Sequence, residues 1–399
     1  MIAIALDAEM PPALVAAQSA APRPPAIVAP APRQISFGQV HGTVGPGVTR
    51  VLVRVNGVLQ ASKAPSNGRY RFVLDLPPRD VKIRVIAENA VGGRASRVVG
   101  PVYGLPYRGR PSAPRRSAED GSLARVVKRL TARYGGISAA YVQDLQTRRG
   151  AAWNARARFP AASTVKLAIA VEVLRTLRHR PAPGSYLYGR LWSMLVYSDN
   201  AAANSLLTWL GGSTSGGAAE VNAMLRSLGL RNTILYGGYA IGTAATRPIP
   251  VRVEEQPAFG VGKYTTAYDL AALHRAVHLA AGRRGGLLRI SGRFTPADAR
   301  FLMWVLAHVV DHGKIDRFLA ESVPVLHKAG WITTSRHDAG IVYWGGGSYV
   351  VAVMTWNGSG VGTSADVLAG RVAKAGLTRF RELRRSASST AAGGAVTLT

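Results

Sequence analysis

An octapeptide near the middle of the chain constrains the fold more than any other stretch. Residues 159–166 read Phe-Pro-Ala-Ala-Ser-Thr-Val-Lys and lead into residues 167–174, which read Leu-Ala-Ile-Ala-Val-Glu-Val-Leu. This run is apolar nearly all round, so it predicts a helix that is buried in the middle of a domain. Ser163 stands at the predicted helix start with Lys166 three residues later, and such a spacing places both side chains on one face.

The Ser163 and Lys166 pair suits nucleophilic chemistry. A serine hydroxyl is a weak nucleophile until a neighbouring base takes its proton. A lysine can be that base when burial or nearby positive charge lowers its pKa, and a buried helix N-terminus supplies both conditions. Taken alone, the pair also fits a capping serine and a solvated lysine, so both interpretations stay open at this point.

Composition sets limits on the class of protein. The chain has 399 residues, which is enough for two or three domains, and it lacks cysteine, which excludes disulfides and zinc-thiolate sites. The formal net charge of +29 favours anionic partners such as cell-wall polymers, although an arginine-rich solvated surface explains it equally well. No nucleic-acid-binding signature is found, so we expect no specific nucleic-acid partner.

The N-terminal residues 1–33 are rich in Pro and Ala and predict a disordered segment. They lack the basic start and the long apolar run of a signal peptide. We nevertheless expect an exported protein, of the cell envelope or the medium, whose true start lies upstream. No stretch approaches about 18 uninterrupted apolar residues, so we expect no membrane span.

Residues 34–103 change to short alternating runs separated by turn signals. Asn56-Gly57 and Asn67-Gly68 are hairpin turn signals, and their spacing predicts a small all-β sandwich. The phrases Val-Asn-Gly, Gly-Arg-Tyr-Arg-Phe and Ala-Glu-Asn resemble those of bacterial immunoglobulin-like modules. This resemblance implies a spacer or a binding module.

The remaining boundaries follow composition. Residues 104–118 carry Pro, Gly, Ser and several arginines, and we interpret them as a basic linker. Residues 119–383 alternate predicted helices and strands and form the second domain. Residues 384–399 are of low complexity and predict a disordered tail.

Two further motifs follow the first in the sequence. Ser198-Asp199-Asn200 precedes a helical run, and Lys328-Ala329-Gly330 with Trp331 opens a strand-rich segment. Together with Ser163-x-x-Lys166 they resemble, in order and context, the three signatures of class A β-lactamases and penicillin-binding proteins. The resemblance covers residues 119–383 and implies an α/β domain with an antiparallel sheet flanked by helices.

The resemblance also implies roles for the reacting groups. Ser163 attacks a carbonyl and becomes acylated, and Lys166 is the base, directly or through water. Ser198, assisted by Lys328, carries the proton to the leaving nitrogen.

Substrate binding is implied for residues of the second and third motifs. Asn200 hydrogen-bonds the substrate side-chain amide, and Gly330 lets the substrate backbone lie close to the strand. The backbone N–H groups of Ser163 and Trp331 form the oxyanion hole. The substrate is a β-lactam or a peptidoglycan peptide, and we expect no metal and no cofactor.

Some positions depart from the family pattern. Ala329 stands where the family has Ser or Thr, and Thr333 or Thr334 is the candidate replacement. The class A Glu-Leu-Asn phrase is missing, which leaves Glu254 and Glu255 as candidate deacylating bases or as solvated loop charges.

These departures leave three functions open. They are a class A-like β-lactamase, a D,D-peptidase-like cell-wall enzyme that deacylates slowly, and an inactive binding or sensor module. His337, which follows the third motif, we interpret as a residue of the site wall rather than as part of a triad.

Overall fold

The N-terminal part of the chain is built from strands. The computed structural model describes residues 21–113, 115–239, 262–290 and 292–393, with side chains up to residue 388. Eight strands lie in the first of these ranges: β1 Ala26–Ala29, β2 Gln34–Ser36, β3 Gln39–Thr43, β4 Val48–Val55, β5 Val58–Lys63, β6 Arg69–Val73, β7 Asp80–Asn89 and β8 Arg94–Gly104.

These strands form two sheets around a shared core. One sheet has the order β1-β3-β6 and the other β2-β8-β7-β4-β5. Along β7, Val81, Ile83 and Val85 are buried while the residues between them are exposed, which is the period of a strand with one face in the core. The predicted all-β region is confirmed. Its likeness to immunoglobulin modules stays a prediction.

The larger part of the chain carries the helices and a second set of strands. Short 3-10 turns are described at Tyr107–Gly109 and Gly286–Leu288. The strands are β9 Ala118–Glu119, β10 Ile137–Asp144, β11 Arg149–Trp153, β12 Phe159–Pro160, β13 Tyr264–Thr265, β14 Val325–Ile332, β15 Ser335–Trp344 and β16 Gly347–Trp356. The helices are α1 Gly121–Thr131, α2 Lys166–Thr176, α3 Tyr186–Val196, α4 Asn200–Gly211, α5 Thr214–Ser227, α6 Ala267–Ala281, α7 Pro296–Leu306 and α8 Thr363–Gly393.

A six-stranded sheet of order β14-β15-β16-β10-β11-β9 separates two layers of helices. Its pairings are antiparallel except for the short β11–β9 contact. Helices α1 and α8 share one apolar core with the sheet, and α2 to α7 share the other, larger core. The predicted antiparallel sheet flanked by helices is confirmed.

Three expectations of disorder or linkage need correction. Residues 26–29 form β1, which pairs with β3, so the unstructured segment does not extend to residue 33. In the expected linker, Gly109 is buried and its carbonyl accepts a hydrogen bond from the Ser348 hydroxyl at 3.1 Å. Helix α8 continues past residue 384, where the Arg384 guanidinium donates to Gly346 O at 2.7 Å.

The β-rich part packs directly on the helical part. Ile35 of β2 belongs to the large helical core, and β2 contacts α7. The Asp80 carboxylate accepts hydrogen bonds from Trp304 Nε1 at 2.9 Å and lies 3.1 Å from His308 Nε2. Arg300 Nε donates to Gln34 Oε1 at 2.8 Å. The two parts therefore share a polar and an apolar interface instead of a loose tether.

Among the helices that the structure describes, none is long and apolar enough to cross a bilayer.

Candidate active site

The turn that carries Ser163 joins β12 to α2. Thr164 N donates to Ala161 O at 3.3 Å and Lys166 N to Ser163 O at 3.2 Å, so the turn is tightly wound. Helix α2 begins at Lys166, so Ser163 lies in the preceding turn and is not the helix cap. Ala162 has a φ of 48°, a left-handed conformation that is unfavourable for alanine and that recurs at functional sites.

His337 holds this turn against the sheet. Its Nε2 lies 2.7 Å from Pro160 O and donates to it, because a carbonyl only accepts. Its Nδ1 accepts from Thr355 N at 3.2 Å. Burial lowers the pKa of His337 to about 4, so the ring is neutral at physiological pH. The residue is 1% exposed and lines no site wall, which corrects our interpretation of it.

The amine of Lys166 lies at the centre of the three motifs. The residue is fully buried at the start of α2. Its Nζ donates to Ser198 O at 2.5 Å and to Asn200 Oδ1 at 2.7 Å. The same amine lies 4.7 Å from the centre of the Tyr239 ring. The first and second motifs therefore meet at one nitrogen.

Burial changes the chemistry of this amine. It lowers the pKa of Lys166 to about 7, and the nearby Lys328 charge acts in the same direction while Asp199 opposes both. A neutral amine has two N–H donors and one lone pair. The two observed acceptors use both donors, so the lone pair remains available to take a proton.

Lys328 brings the third motif to the second. Its Nζ donates to Ser198 Oγ at 3.0 Å and to Ala329 O at 2.7 Å. Burial also lowers the pKa of Lys328 to about 8, although Asp311 and Asp338 oppose the shift. Ser198 itself has a φ of 59°. The strain is maintained because Asp199, the next residue, caps α4 by accepting from Ala202 N at 2.5 Å.

Gly330 allows the edge strand to approach the serine turn. Strand β14 is at the end of the six-stranded sheet, so its outer edge is not paired in that sheet. A Cβ added at Gly330 would lie 2.5 Å from Ser163 N and 2.7 Å from Thr164 N, which is closer than atoms can pack. The next side chain, Trp331, is 61% exposed. The free edge and the serine turn therefore border one open region.

The Ser163 hydroxyl is the only catalytic candidate without a partner in the described part of the chain, where no hydrogen bond to its Oγ is found. The expected contacts from Lys166 and Ser198 to this oxygen are not formed. Catalytic hydrogen bonds are often long or misaligned before substrate binds.

Sequence reasoning missed Tyr239 and the residues around it. Tyr239 is fixed by Asn204, which donates to Tyr239 O at 2.9 Å and accepts from Tyr239 N at 2.7 Å. Its ring lies 4.9 Å from Lys263 Nζ as well as close to Lys166. Lys263 donates to Gly238 O, and burial lowers its pKa. No spacing in the sequence indicates this group, because its members meet only through the fold.

Of the residues proposed to replace missing family residues, the structure describes the two threonines but not the two glutamates. Thr333 and Thr334 form the β14–β15 turn, beyond the Gly330 approach. Glu254 and Glu255 lie outside the described residues. The described neighbours that interact with the Lys166 amine include one carboxylate, Asp199, whose Oδ1 is engaged as the α4 cap.

Comparisons with known proteins identify the family of the chain and structures of similar fold. The model of the beta-lactamase enzyme family matches residues 122–182 and 189–380. A structure of PBP-A superimposes with a TM-score of 0.53 and 20% identity, covering 68% of this chain and all of that one. The class A beta-lactamase from Mycobacterium abscessus gives a TM-score of 0.51 at 20% identity, covering 65% of this chain and 99% of that one. No curated protein matches the chain.

Replacing Gly330 with alanine tests the approach of β14 to the serine turn. The added Cβ has no room beside Ser163 N, so the turn must move. Because a displacement of about 1 Å can cost roughly 100-fold in rate, we expect Gly330→Ala to slow acylation by a fluorescent penicillin by about that factor. Gly345→Ala is the matched control, since nothing lies within 4 Å of its added Cβ. Equal rates for the two variants would show that the approach is unimportant.

Proposed function

The chain belongs to the beta-lactamase enzyme family, and from this premise we propose that it is a serine hydrolase that acts through an acyl-serine intermediate. Its substrate is a β-lactam or a related cell-wall amide. The observation that carries the proposal is the buried Lys166 amine, which has a pKa of about 7 and two N–H donors already engaged by the second motif. Such an amine can accept the Ser163 proton at neutral pH.

The proton then needs a route to the leaving nitrogen. In the proposed mechanism the Ser198 hydroxyl carries it, because its oxygen accepts from Lys328 Nζ at 3.0 Å. That bond uses a lone pair of Ser198 Oγ and leaves its own O–H free to donate. The positive charge at Lys328 also makes the hydroxyl a better proton donor.

Substrate binding is assigned to the edge strand and Asn200. Asn200 Oδ1 accepts from Lys166, which leaves its side-chain N–H groups to donate to a substrate carbonyl. The outer edge of β14 at Gly330 and Trp331 offers backbone groups to an extended substrate. The N–H groups of Ser163 and Trp331 are the proposed oxyanion hole.

Deacylation decides between the two leading candidates. A β-lactamase needs a base that activates water against the acyl-enzyme, and Glu254 and Glu255 are the candidates for that role. A penicillin-binding or D,D-peptidase-like enzyme hydrolyses the acyl-enzyme formed with a β-lactam only slowly and so stays labelled by a penicillin. One observation favours the second candidate. Among the described residues, the carboxylate that acts on the Lys166 amine is that of Asp199, and its Oδ1 already caps α4.

Incubation with a fluorescent penicillin followed by intact mass measurement tests the proposal. We expect one acyl group per chain, no label in Ser163→Ala, and no label in folded Lys166→Met because its methionine cannot take the proton. Label that disappears on turnover supports the β-lactamase, and label that persists supports the penicillin-binding enzyme. A wild type that remains unlabelled like Ser163→Ala would contradict the proposal and leave an inactive binding or sensor module.

The positive charge suggests a second partner, and we expect export to the cell envelope or medium. With a net charge of +29, the protein is proposed to bind anionic cell-wall polymers. Binding of this kind weakens as salt shortens the range of electrostatic attraction. Pelleting with purified peptidoglycan should therefore fall steeply between about 0.05 and 0.5 M salt. Binding that is independent of salt, or that is absent at low salt, would refute electrostatic anchoring.

A further inference from the structure

A cluster of two histidines and one aspartate lies behind the catalytic strand. We propose that His312, Asp316 and His327 bind a divalent transition-metal ion of the Zn²⁺ type. One ligand atom from each residue lies within 4.8 Å of the other two. This site does not depend on the proposed hydrolase activity. Its residues lie outside the three sequence motifs, although His327 immediately precedes Lys328 of the third motif.

His327 supplies the observation that points to a ligand. The residue is 1% exposed, and its Nδ1 lies 2.9 Å from both oxygens of Asp338. Because a carboxylate only accepts, Nδ1 donates to Asp338, and Nε2 is the nitrogen that the neutral ring can offer to an ion. Nε2 is buried and has no hydrogen-bond partner within the described residues. A histidine oriented by a carboxylate, with its other nitrogen free, is the usual arrangement of a metal ligand.

The other two ligands lie on a turn that is already ordered. Asp316 Oδ1 accepts from Gly313 N at 2.8 Å and from Lys314 N at 2.9 Å, which leaves Oδ2 to face His312 Nδ1 at 2.9 Å. The carboxylate of Asp338 accepts from Ile315 N at 3.2 Å, so the residue that orients His327 also holds this turn. The Asp316 carboxylate and the His327 ring are therefore held before any ion binds, whereas the exposed His312 ring is not.

The donor set selects the class of ion. Two imidazoles and one carboxylate suit Zn²⁺, Co²⁺ or Ni²⁺ far better than Ca²⁺ or Mg²⁺, which take oxygen ligands. Bonds of about 2.0–2.1 Å in a tetrahedron space the ligands roughly 3.3 Å apart, so a small rotation must bring them together. The side chain of His312 is 68% exposed and can make that rotation. Water completes the coordination.

The position of the cluster suggests a bracing role. His327 and Lys328 are adjacent on β14, and successive strand side chains point to opposite faces. The loop with His312 also contacts the end of α3, where Val310 N donates to Val196 O at 3.3 Å. An ion at the cluster would therefore join this loop to β14 directly behind the lysine that contacts Ser198.

Zinc binding by the full chain, expressed without a histidine tag and stripped with a chelator, tests the inference. We expect titration calorimetry to show one Zn²⁺ per chain, and His312→Ala to weaken the affinity about tenfold or more, as loss of a ligand-shell residue does. His179→Ala is the matched control, since His179 is exposed and lies on a different segment. Co²⁺ should give the visible absorption of a four-coordinate site in the wild type and the control.

Thermal unfolding gives a second readout. A ligand that binds only the folded state stabilises it, so Zn²⁺ should raise the Tm of the wild type and of His179→Ala by more than that of His312→Ala. His327→Gln should also lose Zn²⁺ binding. If His327→Gln does not fold, His312→Ala alone tests whether the cluster binds the ion. Equal zinc affinity in the wild type and His312→Ala, or no binding by either, would overturn the proposal.

Discussion

The contact of the Lys166 amine with Ser198 O and Asn200 Oδ1 is the interaction on which the site depends. It joins the start of α2 to the corner before α4, and it consumes two donors of an amine that burial has brought to a pKa of about 7. An uncompensated buried ammonium would be costly, so the acceptors and the depressed pKa belong together. Both follow from placing one lysine at the start of a helix buried on every side.

The rest of the fold serves to hold three distant segments against that amine. His337 ties the serine turn to the central sheet through Pro160 O and Thr355 N. Gly330 removes the side chain that would keep β14 away from Ser163. Ala162 in the serine turn and Ser198 at the corner before α4 keep strained, positive φ angles, and the cap of α4 at Asp199 helps to maintain that of Ser198. The cluster of His312, Asp316 and His327 stands behind the same strand.

Much of this arrangement can be predicted from the sequence, because short runs of neighbouring residues determine it. The apolar run after Lys166 predicts the buried helix, and the three short motifs predict the segments that meet. What the sequence does not reveal depends on long-range contact. The ring of Tyr239 is held near Lys166 by the hydrogen bonds between Asn204 and the Tyr239 backbone. His337 holds the serine turn because its ring donates a hydrogen bond to Pro160 O, which is distant in the sequence. Strand β1 was missed because it is only four residues long, Ala-Ile-Val-Ala, and lies within a Pro- and Ala-rich stretch, whereas its pairing with β3 is a long-range contact.

The central claim is that the Lys166 amine loses its proton near neutral pH, and direct titration tests it. NMR of protein labelled with ¹³C-lysine follows each Cε resonance against pH, and the Lys166→Met spectrum identifies the resonance of interest. The account predicts a midpoint at about 7 for Lys166. A midpoint near 10.5, the ordinary value of a solvated lysine, would mean that Lys166 cannot serve as the base and that the mechanism is wrong.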